Sequence, residues 1–301
     1  MEIARRLVAV AFLLLANTGP VSAQTDGTSS VGIEPPKLLL LVYRRIRFDK
    51  EGERLKLETA MKRACDRVTV PNSWIDLESV TGMTEALSFD PFDSFEQIEK
   101  AGAAWSQIFG GHSEIARLQE EIKGVVASER TVIAVRRDDL GYRVSAINLA
   151  QARAMRVLEV RLNPGHENDF VEAFRALSAA YEKMNSETPW VVYQVNAGMA
   201  SPAFLVFVPM TAIRQNDDLL ARRQALQEAE GEQCSRRMQE IAREAYATTE
   251  SNIYVVSPEM SHVSKEFAAE NPEFWLQGAG SENAKPTAGK PAAKEPKTKQ
   301  R

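Results

Sequence analysis

KLLLLVYRRIRF (37–48), an apolar run that ends in Arg44-Arg45-Ile46-Arg47-Phe48, and RAMRVLEVRLN (153–163), where apolar and polar positions largely alternate, are strand candidates. Each is followed by a segment whose apolar residues recur every three to four positions. In the first these are Leu57, Met61, Ala64, Cys65 and Val68; in the second, Phe170, Phe174, Leu177, Ala180 and Tyr181. That spacing predicts helices with one apolar face. Next come 73-SWIDLESVTGM-83 and 189-PWVVYQVNAGM-199, alternating stretches that open on Trp74 and Trp190 and close through Gly82 and Gly198. With ALSFDPF (86–92) and FLVFVPM (204–210) they predict two hairpins, the glycines supplying the positive φ of a tight turn. Pro91 and Pro209 are expected just past their strands, where a missing N–H costs little.

Both halves continue with helical sequence. SFEQIEKAGAAWSQI is punctuated by Gly110-Gly111 and resumes as SEIARLQEEIKGVVA, whereas 217–247 reads as one long helix. Short strands follow, TVIAVRR (131–137) and NIYVVS (252–257). Each half therefore reads β-α-β-β-α-β, the ferredoxin-like order. Two helices cover one face of a four-stranded sheet, and a duplicated chain can cover the other by turning its two sheets toward each other. The expected fold is α+β: two tandem ferredoxin-like βαββαβ repeats whose sheets face each other as an intramolecular pseudo-dimeric α/β barrel. The expected boundaries are a signal peptide over 1–23, a disordered linker over 24–36, repeats over 37–148 and 149–270, and a disordered Lys/Pro/Ala-rich tail over 271–301.

The first boundary rests on Arg5 and Arg6, the apolar run LVAVAFLLLA, and small residues up to Ala23. It predicts an exported protein, periplasmic or secreted, with no membrane span after signal removal. The tail from Ser281 carries six basic and two acidic residues; without it and without residues 1–23, which hold Glu2, Arg5 and Arg6, the body has 29 basic and 38 acidic residues and a net charge near −9. An acidic body excludes a nucleic-acid scaffold, which needs concentrated Lys and Arg. Cys65 and Cys234 are too few for a disulfide framework; they read as small buried hydrophobes, with one disulfide the alternative.

The element order, the 42–48 and 158–164 strands, the paired Trp and Gly residues and the Asn163-Pro164-Gly165 turn resemble the dimeric α/β-barrel superfamily, and within it tandem NIPSNAP-like chains. The resemblance covers residues 37–263. Members of that superfamily include haem enzymes and cofactor-free monooxygenases, so it implies a fold more firmly than an activity.

Alternation sorts the strand faces. One face of the first strands carries Tyr43, Arg45, Glu159 and Arg161; the hairpin strands add Trp74, Asp76 and Glu78, and Trp190, Val192 and Gln194. The opposite set, including Val42, Ile46, Phe48, Ile75, Leu77, Val191, Tyr193 and Val195, is expected against the helices. The polar set would then line the space between the sheets. Arg45, Arg161, Glu159, Trp74, Trp190, Asp76, Gln194 and Tyr43 form the candidate ligand site, suited to a small organic carboxylate or to mutual ion pairing. His112, His166 and His262 keep no company with a haem, zinc or hydrolase motif, and there is no G-x-S-x-G elbow. No cofactor, metal site or catalytic residue is assigned. The chain reads as a binding protein for a small ligand or protein partner, a monomer or weak homodimer, with a small monooxygenase-type cavity enzyme and a structural or interaction module as alternatives.

Overall fold

The computed structural model describes residues 33–276. The expected signal peptide and the basic residues of the tail lie outside the described residues. Eight strands form a closed antiparallel barrel: β1 (Leu38–Ile46), β2 (Trp74–Ser79), β3 (Glu85–Phe92), β4 (Val126–Arg136), β5 (Ala154–Leu162), β6 (Val191–Ala197), β7 (Ala203–Met210) and β8 (Tyr246–His262). Around the barrel their order is β1-β3-β2-β8-β5-β7-β6-β4. Helices α1 (Glu51–Cys65), α2 (Phe95–Gly111) and α3 (Ser113–Val125) accompany the first four strands, and α4 (Glu167–Lys183), α5 (Gln215–Ala221), α6 (Arg223–Glu230) and α7 (Glu232–Glu244) the last four. Short helices α8 (Lys265–Ala269) and α9 (Pro272–Trp275) follow. The fold is α+β around this barrel.

Closure depends on two seams. β4 pairs with β1 on one side and β6 on the other, and β8 likewise joins β2 to β5. These are the two longest strands, 11 and 17 residues, and both begin well before the expected 131–137 and 252–257. Ser128–Arg130 and Ala247–Glu250 are exposed and polar, so no alternation marks them. Backbone pairing to Arg45–Tyr43 and to Arg161–Glu159 makes them strands instead. Pro91 and Pro209 lie inside β3 and β7, opposite Leu39 and Met155. They are tolerated because the β2 and β6 ladders have already ended at Phe89 and Phe207. The expected 217–247 helix is three helices, interrupted at Arg222 and at Gly231, whose φ is +79°.

The barrel interior is a packed apolar core. Leu39, Leu41, Tyr43, Ile75, Leu77, Leu87, Phe89, Val157, Tyr193, Leu205 and Phe207 form one buried cluster. Phe207 meets Phe89 and Tyr193 edge-on at 5.8 and 5.7 Å. One end is plugged by two 3₁₀ turns (Val144–Ala146 and Leu149–Gln151) and by α8 and α9, through Ile147, Leu149, Phe267 and Trp275. The Trp275 indole N–H donates to Ala150 O at 2.9 Å. Pro36 also joins the body, its carbonyl accepting from the Tyr193 hydroxyl at 2.7 Å.

The interior corrects the face assignment of the hairpin strands. Ile75, Leu77, Val191, Tyr193 and Val195 point into the barrel, while Trp190 and Val192 pack under α4 with Phe170, Phe174 and Phe204. Asp76 correspondingly faces α1. Alternation separates two faces without saying which is inside, and a closed barrel takes the more apolar set. Phe48, expected against the helices, is exposed beyond the end of β1.

The β4–β6 seam requires Gly198. Its φ is +94°, and a Cβ there would lie 2.0 Å from Thr131 O and 2.8 Å from Val132 Cα, both backbone atoms. Gly198→Ala should cost about 3 kcal/mol. Gly165→Ala, also at positive φ but with nothing within 4 Å, should cost about 1 kcal/mol. Urea unfolding of the two variants checks the contrast.

Candidate functional site

The end of the barrel opposite the plug carries converging polar side chains. In the β-ladders Tyr43 stands opposite Arg130, and Glu159 opposite Glu250, so both pairs follow the inward-facing parity. One step nearer the rim, Arg45 pairs with Glu85 and Ser128, and Arg161 with Ala203 and Thr248. Arg130 spans the mouth: its guanidinium lies 4.4 Å from the Tyr43 ring centroid and donates to both Glu159 carboxylate oxygens at 3.2 Å. Tyr254 donates its hydroxyl to Glu85 Oε1 at 2.8 Å.

These groups feel one another. Burial, helped by the Glu159 carboxylate, pushes the Tyr43 hydroxyl well above the ordinary tyrosine range. Burial raises the Glu85 carboxyl, with Tyr254 opposing and Glu159 adding to the rise. The Tyr43 hydroxyl is fully buried beside the Glu159 carboxylate and, among the described residues, meets no partner in good hydrogen-bond geometry. Arg45 and Arg161 are exposed, and among the described residues neither side chain has an ion pair.

The eight residues singled out in the sequence fall into three places. Tyr43, Glu159, Arg45 and Arg161 share the mouth. Trp190 and Gln194 lie outside the barrel: the Trp190 indole donates to Leu140 O at 3.1 Å beneath α4, and Gln194 Oε1 accepts from Arg137 at 2.9 Å. Trp74 and Asp76 lie outside as well, on the α1 side, where the Trp74 indole donates to Met260 O at 2.9 Å. Both echoed tryptophans thus fasten the chain just past β4 or near the end of β8. Arg130, Glu85 and Tyr254 complete the mouth and were not anticipated. Arg130 sits in the unpatterned start of β4, so only cross-strand register could have revealed it.

Asp76 belongs to a separate polar layer beneath α1. There Arg54 of α1 is paired with Glu58 and, at 3.3 Å, with Glu78, and Arg44 is paired with Glu129 at 3.1 Å. The histidines are peripheral. His166 Nδ1 is 2.7 Å from Asp169, and His262 Nδ1 is 2.9 Å from Asp66 while its ring stacks on Trp74. His112 caps α3. Cys65 is buried and Cys234 half-buried, and neither forms a disulfide. Burial pushes the Cys65 thiol up to about 12, which leaves it unreactive. Among the described residues no group of three or more His, Cys, Asp or Glu side chains is placed to hold a metal ion, and no helix is long and apolar enough to cross a membrane.

The mouth geometry makes a direct prediction. A buried hydroxyl that meets only the Glu159 carboxylate, out of good hydrogen-bond geometry, is a cost, so Tyr43→Phe should stabilise the protein by about 1 kcal/mol in chemical denaturation. A loss of stability would mean that the hydroxyl is already satisfied.

No family model matches the chain, and no curated protein matches it in sequence. Its fold does match solved structures. An anthrone oxidase-like protein superposes with a TM-score of 0.52 at 16% identity, covering 75% of this chain and 94% of that one. A chlorite dismutase from Candidatus Nitrospira defluvii, in complex with imidazole, gives a TM-score of 0.41 at 8% identity over 77% and 94%. The fold argument rests on the first. That likeness is one of fold: the chain and the anthrone oxidase-like protein share a barrel architecture.

Proposed function

We propose that this is an exported, internally duplicated ferredoxin-like barrel of the NIPSNAP-like kind that binds a small organic anion at its open mouth without catalysing a reaction. One observation carries the reading: Arg45 and Arg161, at matching positions of β1 and β5, are exposed, face the same mouth and have no ion pair among the described residues. Two unpaired guanidinium groups are suited to a carboxylate, which each can engage through two parallel N–H donors. Below them the Tyr43 hydroxyl and the Arg130–Glu159 pair offer a donor and a polar floor. Because side chains fill the interior, the ligand lies across the rim and stays partly in water, which limits affinity.

The duplication is supported by strand order. β4-β1-β3-β2 and β8-β5-β7-β6 are successive arcs of the same barrel, and Trp74 and Trp190 make equivalent indole-to-carbonyl bonds. That correspondence supports repeats over 37–148 and 149–270. A chain that supplies its own second sheet has no need of a homodimer.

A small monooxygenase-type enzyme is the second reading, favoured by the fold likeness to the anthrone oxidase-like protein. Oxygen uptake in the presence of the bound ligand separates the two.

The binding reading is tested by native mass spectrometry of protein purified gently from its own host. The expected result is a retained organic anion that disappears in Arg45→Ala/Arg161→Ala. That variant should keep its stability within about 0.5 kcal/mol, since both side chains are exposed. Retention of the same mass by the double variant would sink the assignment.

A further inference from the structure

The layer between α1 and the outer face of β1, β2 and β3 holds more negative than positive charge. Arg44 and Arg54 face Glu58, Asp76 and Asp90 inside the layer, with Glu78 and Glu129 at its edge. Arg54, Glu58 and Asp76 are 4%, 7% and 4% exposed. Ionised carboxyls in excess of their cations are expensive away from water.

The hydrogen bonds show where the excess falls. Glu58 gives one oxygen to Arg54 Nη1, and its other oxygen, Oε1, is buried without a partner. Asp76 Oδ1 is buried without a partner as well. Both are acceptors if both groups are ionised, and no donor reaches either, although Arg54 Nε is itself buried without a partner among the described residues. The backbone N–H of Asp76 is committed to Ser261 Oγ at 2.9 Å, and that hydroxyl donates to Ser257 O. The Ser88 hydroxyl donates to Asp90 Oδ1 at 2.8 Å. Arg54 Nη1 also touches Met260 Sδ at 3.2 Å, while Arg44 Nε is turned to Glu129. One proton placed on either carboxyl turns an orphan acceptor into a donor and removes one unit of excess charge.

We propose that Asp76 keeps a proton beneath α1, facing Glu58, and that this proton is a latch: while it is held, α1 lies closely on the sheet, and its loss to solvent loosens that helix. Asp76 is the group whose surroundings favour the protonated form. Burial pushes it well above the ordinary carboxylate range, Glu58 and Asp90 add to the rise, and Arg44 and Arg54 oppose it. Asp90, raised by burial to about 6, loses its own proton in the neutral range and adds to the repulsion. Because the folded layer binds the proton more tightly than the unfolded chain does, the latch is complete at low pH and is lost as pH rises through the raised value.

The test is hydrogen exchange on the whole protein between pH 6 and pH 9, corrected for the intrinsic pH dependence of amide exchange. Amides of α1 are compared with those of α4, which packs on an apolar layer. The expected result is a loss of α1 protection of roughly tenfold or more as pH rises, with α4 unchanged. In Asp76→Asn the amide N–H₂ replaces the proton, so α1 protection should stay high at pH 9 and keep only the small pH dependence that Asp90 supplies. Glu58→Gln should do the same and serves if Asp76→Asn does not fold. Wild-type α1 protection that ignores pH would overturn the proposal, as would neutral variants that keep the full pH dependence.

Discussion

Closure of the sheet is the constraint on which the rest of this molecule depends. Once β4 reaches β6 and β8 reaches β5, every strand has two neighbours and no backbone edge remains open along the seams. The same step creates one enclosed interior. Alternation then forces each strand to choose which side chains enter it, and apolar ones win over polar ones: Leu77 over Asp76, Tyr193 over Gln194. The barrel so made is filled, and its polar residues are displaced to places where water, an ion pair or a helix can receive them.

Those places divide the chemistry. At the mouth, inward-facing positions lie beyond the packed layers, so Arg45, Arg161 and Arg130 point the same way as Leu41 and Val157 and still reach solvent. On the outer face, α4 covers an aromatic layer in which Phe170 stacks on Phe204 at 4.1 Å, whereas α1 covers charges. The two helices occupy equivalent stations and bury opposite kinds of surface. That difference lets the α1 side of the barrel respond to protons while the α4 side stays inert.

Much of the architecture is legible in the residues. The order of strands and helices through each half follows from periodicity, and the Trp74/Trp190 and Gly82/Gly198 correspondences mark the hairpins. Both glycines adopt positive φ, as expected of turn residues. Three things are not legible. The starts of β4 and β8 are polar on both faces and owe their strand character to partners more than 80 residues away, as Arg44 with Glu129 shows. The inside of the barrel cannot be told from its outside while Ile75 and Leu77 are equally good against a helix. Gly231 breaks the 217–247 helix although the flanking sequence keeps a helical period. For the site, Tyr43, Arg45, Glu159 and Arg161 share the mouth because first-strand parity was read in the right sense. Trp74, Asp76, Trp190 and Gln194 are elsewhere because hairpin parity is the reverse.

The central claim is that the barrel is a packed core whose ligand chemistry is confined to the rim. The most direct test is an NMR titration of the protein with benzoate, a carboxylate with a single apolar ring, following arginine Nε, backbone and aromatic signals. The account predicts saturable shifts at the Nε signals of Arg45 and Arg161 and at Tyr43, with the Phe89, Tyr193 and Phe207 rings unmoved. Shifts centred on those three rings, with Arg45 and Arg161 silent, would show that the interior opens to ligand and would contradict it.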